Sequence, residues 1–158
     1  MSHVPAATND SSGAGIRYNQ VDTTKRFRLG TRSKARNGNE YIYLKGVASL
    51  VAEDWVVYDE AHVTTRTVAN SKGAVAIAQA AVNATTSFGW FGIWGSFAGD
   101  VATGADDAKV WLTSTAGRVD NSDVATDLVS NAIQRSATAS NSATFQIMYP
   151  FCLNEVYN

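Results

Sequence analysis

From Phe27 onward, short runs of apolar and β-branched residues alternate with polar, glycine-containing stretches at about ten-residue spacing. Arg26-Phe27-Arg28-Leu29 alternates and stops at Gly30. Asn37-Gly38-Asn39 marks a tight turn, because Asn and Gly tolerate positive φ. Tyr41-Ile42-Tyr43-Leu44, residues 47–51 and Trp55-Val56-Val57-Tyr58 read as strands, the last two separated by Glu53-Asp54. Residues 62–68 alternate and are rich in Thr and Val, and Asn70-Ser71-Lys72-Gly73 is a second turn. Ala74-Val75-Ala76-Ile77-Ala78-Gln79-Ala80-Ala81-Val82 suits a crowded strand or a helix; the turn signals around it favour a strand. Residues 98–107 form a Gly/Asp loop. Residues 109–113, 128–135 and 144–149 complete the strand series, and Pro150 is expected to end it, since proline cannot donate to a ladder. The pattern predicts an all-β fold, a compact β-barrel or β-sandwich, with no convincing amphipathic helix.

The stretch Ser87-Phe88-Gly89-Trp90-Phe91-Gly92-Ile93-Trp94-Gly95-Ser96-Phe97 is apolar on both parities. Phe88, Trp90 and Trp94 fall on one, and Phe91, Ile93 and Phe97 on the other. A strand of this kind is covered on both sides, here by the core and by another subunit or partner. Its glycines imply bulges or close backbone approach. Phe88, Trp90, Phe91 and Trp94 are therefore the expected packed centre of the body or of an oligomer.

Residues 1–26 read as an extended N-terminal arm, and residues 27–158 as a single β-rich domain. Residues 2–15 are small and polar, with almost nothing to bury. Such a segment takes up one conformation only on a surface, its own body's or a partner's, and the partner's is the expectation. Charge sharpens this picture. Arg17, Lys25, Arg26, Arg28, Arg32, Lys34 and Arg36 face only Asp10 and Asp22 within residues 1–38, a balance of +5 that the net charge of −1 conceals. These cations are either a solvated loop or a docking arm for an acidic surface. Nucleic acid is the weaker partner, since only Tyr18 and Phe27 accompany the cluster and the remainder of the chain is acidic.

Composition narrows the function classes. With 158 residues, one domain is the default. Hydrophobic residues make up 45%, too many for a wholly disordered chain. Charged residues make up 17%, against about 25% in an average soluble domain, which leaves a polar but weakly charged surface. No apolar run approaches the roughly 18 residues of a membrane helix, so no membrane partner is expected, and the first residues lack a signal-peptide core. Cys152 is the only cysteine and excludes an intrachain disulfide. It reads as a small buried residue. His3 and His62, the two histidines, would have to converge to form a metal or acid–base site. No phosphate-binding loop, nucleophile elbow or zinc-protease motif occurs. The carboxylate pairs Glu53/Asp54, Asp59/Glu60 and Asp106/Asp107 read as turn residues, and Asp100, Asp106 and Asp107 lack EF-hand spacing for Ca²⁺. The sequons at Asn9 and Asn83 carry no weight without a secretory signal. No catalytic residue, metal or cofactor is expected. Trp55, Trp90, Trp94 and Trp111 leave one rival reading open, a carbohydrate-binding or adhesive β-sandwich.

The order of features carries a resemblance. Phe27-Arg28-Leu29-Gly30-Thr31 leads to Asn37-Gly38-Asn39-Glu40-Tyr41-Ile42-Tyr43-Leu44-Lys45, then to Glu53-Asp54-Trp55-Val56-Val57-Tyr58 and to residues 75–82. Phe88-Gly89-Trp90-Phe91-Gly92-Ile93-Trp94-Gly95, Ala108-Lys109-Val110-Trp111-Leu112-Thr113-Ser114-Thr115-Ala116-Gly117 and Ile147-Met148-Tyr149-Pro150 follow. This succession, over residues 27–151, resembles the capsid decoration (cement) proteins of tailed bacteriophages. The resemblance implies a non-enzymatic protein on the outer capsid surface, often a homotrimer, that clamps neighbouring major capsid proteins. On that reading the cations from Arg17 to Arg36 meet acidic residues of the shell.

Overall fold

The computed structural model describes residues 15–156. Among these there are eleven strands and no helix: β1 (Val21–Asp22), β2 (Arg32–Lys34), β3 (Glu40–Lys45), β4 (Trp55–Tyr58), β5 (Thr64–Arg66), β6 (Gly73–Ala78), β7 (Phe88–Asp100), β8 (Lys109–Leu112), β9 (Val119–Asp120), β10 (Leu128–Gln134) and β11 (Ser142–Cys152). They form one large antiparallel sheet whose main path runs β2-β3-β7-β6-β11-β10-β8-β9, with β4 and β5 added beside β6 and β1 beside β7. The all-β expectation holds in its sandwich-like form; the sheet does not close into a barrel.

The hairpin joining β2 to β3 forms where the turn signal lies. Gly38 has a φ of 92°, its N–H donates to the Ala35 carbonyl at 3.0 Å, and the Ala35 N–H donates to the Asn39 carbonyl at 2.8 Å. Positive φ is nearly cost-free only for glycine, so Gly38 fixes the turn and thereby the register Arg32 to Ile42, Ser33 to Tyr41 and Lys34 to Glu40.

The long strand β7 is the spine. Its first half pairs with β3 on one edge, and its other edge is shared in turn by β1, β6 and β11. It is buried on both faces. Trp90 and Phe97 join a first core with Tyr41, Tyr43, Trp55, Val75, Ile77, Phe145 and Ile147. Phe91 and Ile93 join a second with Ile42, Leu44, Leu50, Val56, Ala76, Ala78 and Val82. The second face is covered by the chain's own loops, through Leu50 and Val82, and not by another subunit as the pattern alone suggested. The same residues correct the strand expected over residues 47–51. That segment is a loop, and Leu50 points down from it into the second core, fully buried.

Two of the sheet's irregularities, on β7 and β11, alter the simple alternation. Tyr41 pairs with Gly92 but Glu40 with Trp94, so Ile93 is an extra residue without a partner. A bulge reverses the parity of everything beyond it. Trp90 and Trp94, expected on one face, are separated, and Phe97 joins Trp90. The second bulge is at Tyr149, with φ 52°. Here β11 leaves β7 at Met148 and takes up β6 at Phe151, so Pro150 falls in the gap where no ladder bond is required. The strand therefore continues through Pro150 to Cys152, where the sequence pattern ended it. Residues 26–29 are likewise not a strand; Phe27 packs its ring on Tyr43 and Trp90 from a loop.

The described part of the expected arm belongs to the body. Tyr18 is fully buried, its ring stacked on Tyr41 at 3.8 Å, and its hydroxyl shares a 2.6 Å hydrogen bond with Ser33 Oγ. Asp22 is buried and accepts a 2.7 Å bond from the Tyr43 hydroxyl. That hydroxyl is pushed up to about 12, first by burial and then by Asp22, and stays protonated. A boundary at residue 26 would divide the first core, which Tyr18 helps to fill. The remainder of the arm, residues 1–14 with His3 and the Asn9 sequon, lies outside the described residues.

The loop over the second core is held by Asp54. Its Oδ2 accepts from the Val51 N–H at 3.0 Å and from Arg66 Nε at 2.8 Å, while Arg66 Nη2 donates to the Ala116 carbonyl at 3.0 Å. Asp54 Oδ1 is buried and has no hydrogen-bond partner among the described residues. Burial outweighs these donors and raises the carboxyl above the ordinary value of 3.8. The folded state thus holds this proton more tightly than the unfolded chain, and the stabilisation from Asp54 declines as pH rises above that value. In urea titrations between about pH 4 and about pH 7, the stability advantage of the native protein over Asp54→Asn should shrink as pH rises. A gap that widens with pH contradicts this account.

Candidate interaction surface

The two bulges bring together side chains that are far apart in sequence. Glu40, Trp94 and Met148 lie in one row across β3, β7 and β11. The bulge at Tyr149 turns its ring onto the same face, where its hydroxyl donates to Glu40 Oε2. The Arg32 guanidinium lies over that ring, 5.6 Å from its centre. Lys34, across the ladder from Glu40, approaches it at 4.0 Å. Trp94 is 40% exposed, Met148 42% and Tyr149 46%. Trp, Tyr, Met and Arg are the residues enriched at the centres of protein interfaces, since they offer large areas for few frozen torsions.

Beside this patch lies an open groove of about 570 Å³ lined in part by Arg32, Tyr58, Asp59, Glu60, His62 and Lys72. Tyr58 and His62 stack at 6.4 Å. Asp59 is occupied in its own loop, accepting from the N–H groups of Ala61 and Val63. Arg32 borders both features, so the patch and the groove form one continuous surface.

The sequence-predicted packing residues divide. Trp90 and Phe91 are buried in opposite cores, Phe88 is partly buried, and Trp94 alone of the four is exposed. Trp55 and Trp111 are also buried, which leaves Trp94 as the single exposed indole among the described residues. The seven cations are all exposed. Arg26 faces Asp22 at 3.8 Å and Lys34 faces Glu40, but no ion pair to Arg17, Lys25, Arg28 or Arg36 is present among the described residues. They sit on the body, not on a separate tether. Met148, Tyr149 and Glu40 were not expected at the site; the one signal for them was Tyr149-Pro150, read as a strand end.

Other chemistry does not assemble. Cys152 is fully buried, 3.9 Å from the Gly73 carbonyl, and burial pushes its thiol up to about 11, so it carries almost no thiolate near neutral pH. Asp100 pairs with Arg118 at 3.0 Å. No group of three His, Cys, Asp or Glu placed to hold a metal ion occurs among the described residues. Compared with known protein families, curated proteins and solved structures, the chain matches none.

The contrast between two indoles is directly testable. Trp90→Ala should cost about 3–5 kcal/mol of folding stability, as for any large ring removed from a closed core. Trp94→Ala should change stability by less than about 1 kcal/mol, as for an exposed residue without special contacts. Chemical denaturation of both variants decides it. A large loss for Trp94→Ala would make that ring structural and not part of an exposed surface.

Proposed function

We propose that this protein is a non-enzymatic structural protein of a tailed-phage head, which binds the outer surface of the assembled capsid and braces neighbouring major capsid proteins. The observation that carries the reading is a surface with two complementary parts. An apolar, Arg-flanked patch of Trp94, Met148 and Tyr149 supplies desolvated contact area. Arg17, Lys25, Arg28 and Arg36, which form no ion pair among the described residues, supply steering toward an acidic partner. The order of sequence features that resembles decoration proteins points the same way. Binding only the assembled shell stabilises that state by mass action, and many copies acting together, as homotrimers on the lattice, multiply a modest contact into a firm one.

One observation favours the rival reading, a carbohydrate-binding or adhesive module. Arg32 links the patch that holds Trp94 to a polar-walled groove in which Tyr58 and His62 stack. A sugar ring needs an aromatic platform with hydrogen-bonding neighbours, and the groove supplies neighbours.

Sedimentation of the full chain with empty, expanded heads of the phage that carries the gene separates the readings. The protein should pellet with heads. Replacing Arg17, Lys25, Arg28 and Arg36 together by Gln should weaken that binding by about tenfold or more at low salt and less at high salt. Failure to bind heads at any maturation stage, together with saturable glycan binding abolished by Trp94→Ala, would replace this reading with the rival one.

A further inference from the structure

We propose that β2 is an acceptor edge, onto which an extended acidic segment of a partner protein adds as a new strand. β2 is the terminal strand of the main sheet path and, among the described residues, pairs only with β3. Its ladder bonds fix which groups are free. The Tyr43 N–H donates to the Thr31 carbonyl at 2.9 Å, and the Ala35 N–H donates to the Asn39 carbonyl at 2.8 Å. In an antiparallel ladder, bonded residues alternate, so Ser33 and Ala35 turn their backbone groups toward β3, as does the Thr31 carbonyl, while the Thr31 N–H bonds back to the Arg28 carbonyl. Arg32 and Lys34 turn theirs away from it, toward the edge that no described strand occupies. The Ser33 side chain points to the first core, bonded to Tyr18, while Arg32 and Lys34 stand exposed on the opposite face.

Charge selects the occupant. A cationic edge is a common guard against strand pairing, and against a second β2 the guard is effective: Arg32 and Lys34 would meet the same cations of the other copy. The same charges invite a strand with carboxylates two residues apart, because alternate side chains of an added strand share one face. Arg28 and Arg36, just beyond the two ends of β2, extend the positive field along the edge. The first fourteen residues of this chain hold one carboxylate, Asp10, and cannot supply such a pair. The occupant is therefore a β-prone, acidic stretch of another protein, held by main-chain bonds for affinity and by carboxylate–cation pairs for selection. The inference does not depend on that protein being a capsid component.

The test uses the full chain and a capped peptide of sequence Thr-Val-Glu-Val-Glu-Val-Thr. Two control peptides carry Lys in place of Glu, or the original sequence N-methylated at alternate residues. The acidic peptide should bind in a salt-sensitive manner and slow amide exchange at Arg32 and Lys34 by about tenfold or more at saturation. Both controls should bind at least about tenfold more weakly. Lys34→Pro removes one outward N–H at a position where an edge strand tolerates proline, and should abolish binding with the sheet intact by circular dichroism. Lys34→Gln should only weaken it. Equal binding of the N-methylated peptide would reduce the contact to charge alone and overturn the proposal. So would protection mapped away from β2, self-association of the chain through this edge, or no binding at about 1 mM peptide.

Discussion

The structure depends on a strand that is apolar on both of its faces. β7 carries Trp90 on one side and Phe91 and Ile93 on the other, and each side must leave water. The first is met by folding the sheet over on itself, so that β3, β4, β6 and β11 send aromatic and aliphatic residues toward Trp90. The second has no further layer of strands to meet it. It is met by two loops, which bring Leu50 and Val82 down onto Phe91. Those loops are bound to each other, with the Gly46 N–H on the Ser87 carbonyl and the Val47 N–H on the Val82 carbonyl. Asp54, buried and bonded to Arg66, fixes the entry to β4 from the same loop. A buried carboxylate is an expensive anchor, and its Arg66 partner is what makes it tolerable. A polar pin of this kind gives a loop one position, where apolar contacts alone would leave several.

The irregularities of the same strand produce the exposed surface. An unbroken β7 would keep Trp90 and Trp94 on one face, both inside the first core. The bulge at Ile93 turns Trp94 outward, and Gly95 permits it: its φ is 118°, and a Cβ there would lie 2.0 Å from Asn39 Oδ1. Asn39 in turn clasps the strand, accepting from the Ser96 N–H and donating to the Ser96 carbonyl. The bulge at Tyr149 has a parallel role on β11. It occurs where that strand changes neighbours, and it places an aromatic ring beside Glu40 and Arg32. Bulges recur where a sheet re-aims a side chain, and two of them converging on one patch ties its geometry to the fold.

How much of this the sequence carried follows from what each element depends on. The β2–β3 hairpin was legible because Asn37-Gly38 is local turn chemistry. β6 was legible because turn signals bounded it, although its alanines also suited a helix. β7 and its two-sided burial were legible from apolar density. The glycines of that run signalled a bulge or a close approach but not its position, because the extra residue is defined only by two strands in register, and nothing marked the bulge at Tyr149. Tyr18 was misread for a related reason: a single aromatic in a polar segment has no periodicity, and its burial depends on Tyr41 and Trp90 from elsewhere in the chain. The loop at residues 47–51 looked like a strand because an apolar cover for a core and an apolar strand have the same composition. Among the candidate site residues, the cations were legible as a cluster and Trp94 as part of a run. Their arrangement around Tyr149 was not, since Pro150 marked that position as an end.

The division of labour between interior and surface bears on what the exposed residues are for. Both cores are completed within one chain, and the residues that close them, Tyr18, Leu50, Val82 and Phe145, are buried without help from a partner. Folding therefore makes no demand on Trp94, Met148, Tyr149 or Arg32 beyond tolerance of their exposure. An exposed indole beside a thioether and a phenol has a steady cost, because such a patch invites nonspecific association. Polar flanks limit that cost: Glu40 engages the Tyr149 hydroxyl and Arg32 covers its ring. Those contacts hold the side chains in defined rotamers before any partner arrives, which lowers the entropy lost on binding. A surface that is apolar at its centre and charged at its rim has the make-up favoured at the centres of protein interfaces. In this fold that organisation arises from the same two backbone bulges that let the sheet change its strand partners.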